Sequence, residues 1–208
     1  MMKKIKKNIT IMYVILLLII TGIFLKPVSI KGAVKMPAKS YTLVKNTSSY
    51  ITKCIIFTRK KTWTKIDLNN KNCFDAIAYL CMQCDNKYIF KSADQLHAYC
   101  YNYFGKVGYK DVTTGDFFYY SGNKIVLSDS YMGDWGCSRP VCKITKKKKI
   151  KNGTYDIYVN NYLKTDEDLL EPGEKPLCKE GESIIRIKKN TKSRYGYVVS
   201  RIKYRLDK

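Results

Sequence analysis

Hydrophobic and polar residues change rhythm three times along this chain, and each rhythm predicts a different kind of structure. From Ile11 to Leu25 runs an uncharged stretch of fifteen residues dominated by Ile and Leu. Lys3, Lys4, Lys6 and Lys7 precede it, which is the arrangement of a Sec-type export signal. A fifteen-residue helix spans about 22 Å, short of the ~30 Å hydrocarbon core. No clean A-x-A cleavage pattern follows, so residues 1–32 read either as a cleaved signal peptide or as a retained membrane anchor. Either way the lysine cluster stays in the cytoplasm and the rest is expected outside it, anchored by the N-terminal helix or secreted after cleavage. Lys26–Ser40, with Pro27, Gly32 and Pro37, reads as a tether; residues 33–40 link the export segment to a single domain over residues 41–208.

In the next regime the period is mostly helical. Tyr50–Phe57 is β-prone and predicts a first strand. After it, Cys73, Phe74, Ile77, Leu80, Cys81 and Cys84 fall on one face of a helix starting near Asp67 or Asn69. Ser92 and Gln95 form a capping box, and Ala93, Leu96, Cys100, Tyr103 and Phe104 carry a second apolar stripe that Gly105 stops.

Beyond Gly105 the period becomes two. Phe117–Tyr120 and Lys124–Ser128 flank Ser121-Gly-Asn123 as a hairpin. Val141–Ile150 and Thr154–Leu163 flank Asn152-Gly153, a dipeptide suited to a type I′ turn. Lys164–Glu182 reads as a long loop, followed by strands over Ser183–Lys189 and Gly196–Leu206. In the last strand Val198, Ile202, Tyr204 and Leu206 face one way and Arg201, Lys203 and Arg205 the other. The predicted class is α+β: two helices packed on one face of a curved, cone-like antiparallel sheet, after an N-terminal hydrophobic export helix.

The carboxy-terminal half, with Gly153-Thr-Tyr-Asp-Ile157, Ile184–Lys189 and Ser193-Arg-Tyr-Gly-Tyr-Val-Val199, resembles uncharacterised exported proteins of low-GC Gram-positive bacteria. The order of elements over Asp67–Arg205 is also similar to the nuclear-transport-factor-like cone. That resemblance implies helices closing one side of a curved sheet. It implies no single activity, because the fold serves enzymes, ligand binders and interaction modules alike.

Charge narrows the picture. Thirty-nine basic residues against seventeen acids give +22, and the chain beyond residue 32 still carries +16. Such a surface attracts polyanions. Only six of the basic residues are Arg, which argues against specific nucleic-acid reading, where bidentate contacts dominate. The favoured partner is an anionic cell-envelope polymer or membrane surface, met through Arg186, Lys188, Arg201, Lys203 and Arg205. The run Lys146–Lys149 reads as a solvated, protected sheet edge.

Candidate chemistry is sparse, and the sequence leans against an enzyme. His97 is the only histidine. With Tyr101 and Trp135 it could border a ligand pocket between the helices and the sheet, the alternative to a surface-binding module. Among eight cysteines, Cys137 and Cys142 bracket Ser138-Arg-Pro-Val141 and are the best-placed disulfide. Cys81-Met-Gln-Cys84 matches C-x-x-C but falls at the wrong end of a helix for a redox pair. Neither a metal nor a cofactor is expected. The acid-rich segment Lys164–Glu182 lacks the order of a calcium loop.

Overall fold

Three helices line one side of a five-stranded antiparallel sheet in the computed structural model, which describes residues 36–106, 117–128, 138–165, 170, 172–173 and 175–207. All of these lie in the compact unit Val34–Lys208. The export segment, Trp135 and Cys137 lie outside the described residues. Among the described residues no helix is long and apolar enough to cross a membrane.

Helix α1, Ala38–Thr58, replaces the expected strand and begins within the expected tether. Besides Ser40, Asn46 and Tyr50, its buried positions are Leu43, Val44, Thr47, Ser48, Ile51, Thr52 and Ile55, which form a helical stripe. Hydroxyl residues occupy almost half of that stripe. Thr47, Ser48 and Thr52 donate to the carbonyls of Leu43, Val44 and Ser48 at 2.8, 2.8 and 2.9 Å, so burial leaves them satisfied. Read by hydrophobicity alone, the stripe disappears and the β-branched residues suggest a strand.

The other two helices follow their sequence signals. Helix α2, Lys71–Cys84, starts where the Asn70 side chain accepts from the Cys73 amide at 3.2 Å. Helix α3, Ala93–Phe104, starts at Ser92, whose Oγ accepts from Gln95 N. The Gln95 side chain reaches back to the amide of Lys91 rather than that of Ser92. Gly105 ends α3 at φ +64°.

The strands are β1 Thr64–Ile66, β2 Ile89–Phe90, β3 Phe118–Ser121, β4 Lys124–Leu127, β5 Ser138–Lys151, β6 Thr154–Thr165, β7 Leu177–Lys189 and β8 Tyr197–Leu206. The large sheet runs β1-β8-β7-β6-β5, and β2-β4-β3 forms a small second sheet. Both expected hairpins are present. At the second, Gly153 has φ +67° and a Cβ there would sit 2.8 Å from Lys189 Cβ, so the turn needs glycine on two counts.

Two readings of the strands change. The expected loop over Lys164–Glu182 is shorter, because β6 reaches Thr165 and β7 starts at Leu177. Residues 177–182 lack strand formers, and cross-strand partners hold them: Glu182 meets Arg205 of β8 at 2.7 Å, and Lys179 meets Asp207, just past β8, at 2.9 Å. In β8 a bulge between the Arg186–Arg201 and Ile187–Val199 pairs leaves Ser200 unpaired, and Val199 becomes fully buried beside Ile202 and Tyr204.

One core unites the layers. Leu43, Ile51 and Ile55 of α1 join Ile157, Val159, Ile185, Ile187 and Ile202 of the sheet in a single buried cluster, with Phe74, Ile77, Leu96 and Tyr103 from α2 and α3. Apolar side chains therefore fill the space between the helices and the inner face.

Candidate functional site

The opposite face of the large sheet carries the charge. Side chains alternate across a strand, so the register assigns this face directly. Asp156 lies between Lys148 and Arg186, with Arg201 next across; Tyr158 lies between Lys146 and Ile184, with Lys203 and Lys65 beyond; Asn160 lies between Lys143 and Glu182, with Arg205 beyond. Lys188 pairs with Thr154 on the same side. At these register positions nine cations thus share a face with Asp156 and Glu182.

The two acids are saturated. Arg186 grips Asp156 through both oxygens at 2.7 and 2.8 Å, and Arg201 adds a 3.3 Å contact. The Arg186 hydrogen bonds hold the Asp156 carboxyl below the usual range, with Arg201 and Lys148 helping. Arg205 does the same for Glu182, assisted by Lys179, and its guanidinium lies over the Trp63 ring at 4.9 Å. Of the five residues singled out in sequence, Arg186, Arg201 and Arg205 are therefore tied to carboxylates, whereas Lys188 and Lys203 pair with no acid among the described residues. Sequence reasoning missed Lys65, because β1 was not foreseen. It read Lys146 and Lys148 only as edge protection, although their parity with Asp156 and Tyr158 was available.

A second cluster joins α1, α2, α3 and the β7–β8 turn. Asp85, just past α2, accepts hydrogen bonds from the hydroxyls of Tyr99, Tyr103 and Tyr195 at 2.5, 2.8 and 3.0 Å, from Asn46 Nδ2 at 2.8 Å, and from Arg194. The Arg194 guanidinium also lies over the rings of Tyr99, Tyr103 and Tyr195 at 5.2, 5.9 and 4.7 Å. Burial opposes the charge of Asp85, but the phenol hydrogen bonds and Arg194 outweigh it and lower its pKa. Burial raises all three phenols, Tyr195 to about 12. With three phenols, an amide and a guanidinium gathered on one carboxylate and on one another, the cluster is a clamp on the turn.

His97 and Tyr101 stand one helical turn apart on α3, and Asn190 donates to the Tyr101 hydroxyl at 3.4 Å. Trp135, their expected companion, is outside the described residues. Two surface cavities have other linings. One of about 350 Å³ is bordered by Lys45, Ser49, Lys53, Gln83, Cys84 and Pro140. Within it burial lowers the Lys53 amine to about 8 and raises the Cys84 thiol. The other, about 190 Å³, lies at the Ser200 bulge.

At the buried thiols the nucleophilic thiolate is disfavoured. Burial pushes Cys100 up to about 12 and Cys142 to about 11. Cys142 is a buried free thiol, and its expected disulfide partner Cys137 falls outside the described residues. Among the described residues no group of three or more His, Cys, Asp or Glu is arranged to hold a metal ion. No family model, curated protein or solved structure matches this chain.

Proposed function

We propose that this chain is a non-enzymatic binding module of the cell surface, held by its N-terminal segment or released, which meets an anionic cell-envelope polymer through the outer face of its sheet. One observation carries the reading: at the register positions above nine cations share that face with the saturated acids Asp156 and Glu182, while apolar side chains fill the inner one. The arginines organise the face by fixing Asp156 and Glu182. The lysines Lys65, Lys143, Lys146, Lys148, Lys188 and Lys203 supply the attraction, as flexible point charges suited to a polymer without fixed geometry.

Retention on polyanion-coated beads tests this. Binding should weaken steeply as salt rises, because exposed charges are screened within ~10 Å at 0.1 M. Lys143→Glu, Lys146→Glu and Lys203→Glu together should abolish it with no change in melting temperature. Retention that ignores both salt and charge reversal would refute the reading, and retention only on anionic vesicles would move the partner to the membrane.

A further inference from the structure

We propose that the outer face of the small sheet docks on an anionic lipid bilayer, with Ile89, Tyr119 and Tyr120 entering the interface and Lys91 and Lys124 meeting phosphate headgroups. Ile89 pairs with Val126, and Val126 with Tyr119, so these three side chains form one row across β2-β4-β3. The other face of the sheet joins the core through Phe90, Phe118, Ile125 and Leu127. In the outer row Ile89 is 50% and Tyr119 43% exposed, and Tyr120, on the edge strand β3, is 58% exposed. Exposed apolar residues scattered singly are ordinary, but side by side over three strands they make a patch.

Charge selects a bilayer over the other occupants. Lys124 lies on the outer face two residues before Val126, and Lys91 directly follows β2. Residues 86–91 and 117–128 contain no acid. A second copy, meeting this patch about a two-fold axis, would bring its own lysines against these with no carboxylate to balance them. A polyanionic chain would satisfy the lysines and leave Ile89 and the phenol rings in water. An anionic bilayer meets both needs, because aliphatic and phenol groups settle below the phosphates while lysine amines reach up to them. Chain length adds proximity. Ten residues, 26–35, separate the apolar run ending at Leu25 from the first described residue, and fully extended they reach about 35 Å. An apolar run held in a bilayer therefore keeps the domain within reach of that surface. Only this anchored option is taken from the proposed function; the docking face involves neither the large sheet nor a polymer.

Photolabelling of the full-length chain tests the contact, in liposomes of phosphatidylglycerol and a phosphatidylcholine that carries a diazirine on its acyl chain. On irradiation the lipid attaches to residues that touch the acyl layer, and proteolysis with mass spectrometry locates it. Label should fall on residues 86–91 and 117–124, several-fold above that on residues 155–162 of the large sheet. Omitting phosphatidylglycerol should remove most of it, and so should Lys91→Glu with Lys124→Glu. Tyr119→Ser with Tyr120→Ser, both at exposed positions, should do the same with no change in melting temperature. Lys143→Glu, Lys146→Glu and Lys203→Glu together should leave the label in place. Label absent from the hairpin, confined to the large sheet, or unchanged without the anionic lipid or in either hairpin variant would overturn the proposal. A dimer in sedimentation that the Tyr119/Tyr120 variant breaks would assign the patch to a second copy and overturn it too. Because retention on polyanion beads depends on Lys143, Lys146 and Lys203 and this label does not, either reading can fail alone.

Discussion

At Asp85 a single carboxylate collects three phenols, an amide and a guanidinium, and the sign of its pKa shift fixes how acid acts on the fold. Its folded pKa lies below the unfolded value of ~3.9, so its ionised form adds stability that is complete above that value and is lost as pH falls through the folded one. Asp156 and Glu182 have the same sign. Asp85→Asn should therefore cost about 3 kcal/mol at pH 6, the scale of a broken part-buried ion pair, and much less near pH 3. Thermal melts at the two pH values check this, and an equal loss at both would contradict it. Lys53 gives a second test at this scale. With its amine lowered to about 8, it should acylate well ahead of the other lysines when an amine-reactive ester is applied briefly at pH 8 and the sites are read by mass spectrometry.

Among the elements, α1 is the instructive case. Its inward stripe alternates aliphatic and hydroxyl residues, and helical back-bonding makes the hydroxyls compatible with burial. Thr52→Val should change stability by less than about 1 kcal/mol, since the Ser48 carbonyl it contacts belongs to the helical ladder. Ile55→Ala, at a fully buried position, should cost about 3 kcal/mol; denaturant melts of the two variants separate these outcomes. Elements whose signal is local were legible in the sequence. Ser92 starts α3, Gly105 ends it, and Asn152-Gly153 turns β5 into β6, while α2 is capped at Asn70, one residue past the nearer of the two expected starts, Asp67 and Asn69. What was not legible depended on partners distant in the chain. The strand character of residues 177–182 comes from Arg205 and β6, and the inward turn of Val199 comes from a bulge that no period-two pattern contains.

Across the molecule, the sequence singled out Arg186, Lys188, Arg201, Lys203 and Arg205, and the fold places all five on the outer face of the large sheet. The three arginines are paired there with Asp156 and Glu182, Lys188 and Lys203 are not, and lysines on β1 and β5 share the same face. Strands β5 to β8 are neighbours in chain order, so what was missing there was the register; only Lys65, on a strand that pairs with β8 from far along the chain, needed the fold itself. Beneath the helices the inner layer is mostly aliphatic and aromatic, with a few buried polar groups, Thr47, Thr52, Asn161 and Ser183, hydrogen-bonded to one another or to helix carbonyls, and His97 and Tyr101 border neither of the two cavities described.

The stacking of Arg205 on Trp63 gives this face an optical signature. An indole with 40% of its surface in water, covered by a guanidinium that is itself tied to Glu182, sits within the charged layer and emits light in response to changes there. An anion that draws Arg205 away from Glu182 uncovers the ring, so the emission of Trp63 shifts and becomes open to quenching by small solutes. In a Trp135→Phe background that one indole would follow occupancy of the sheet face in real time, without any label attached.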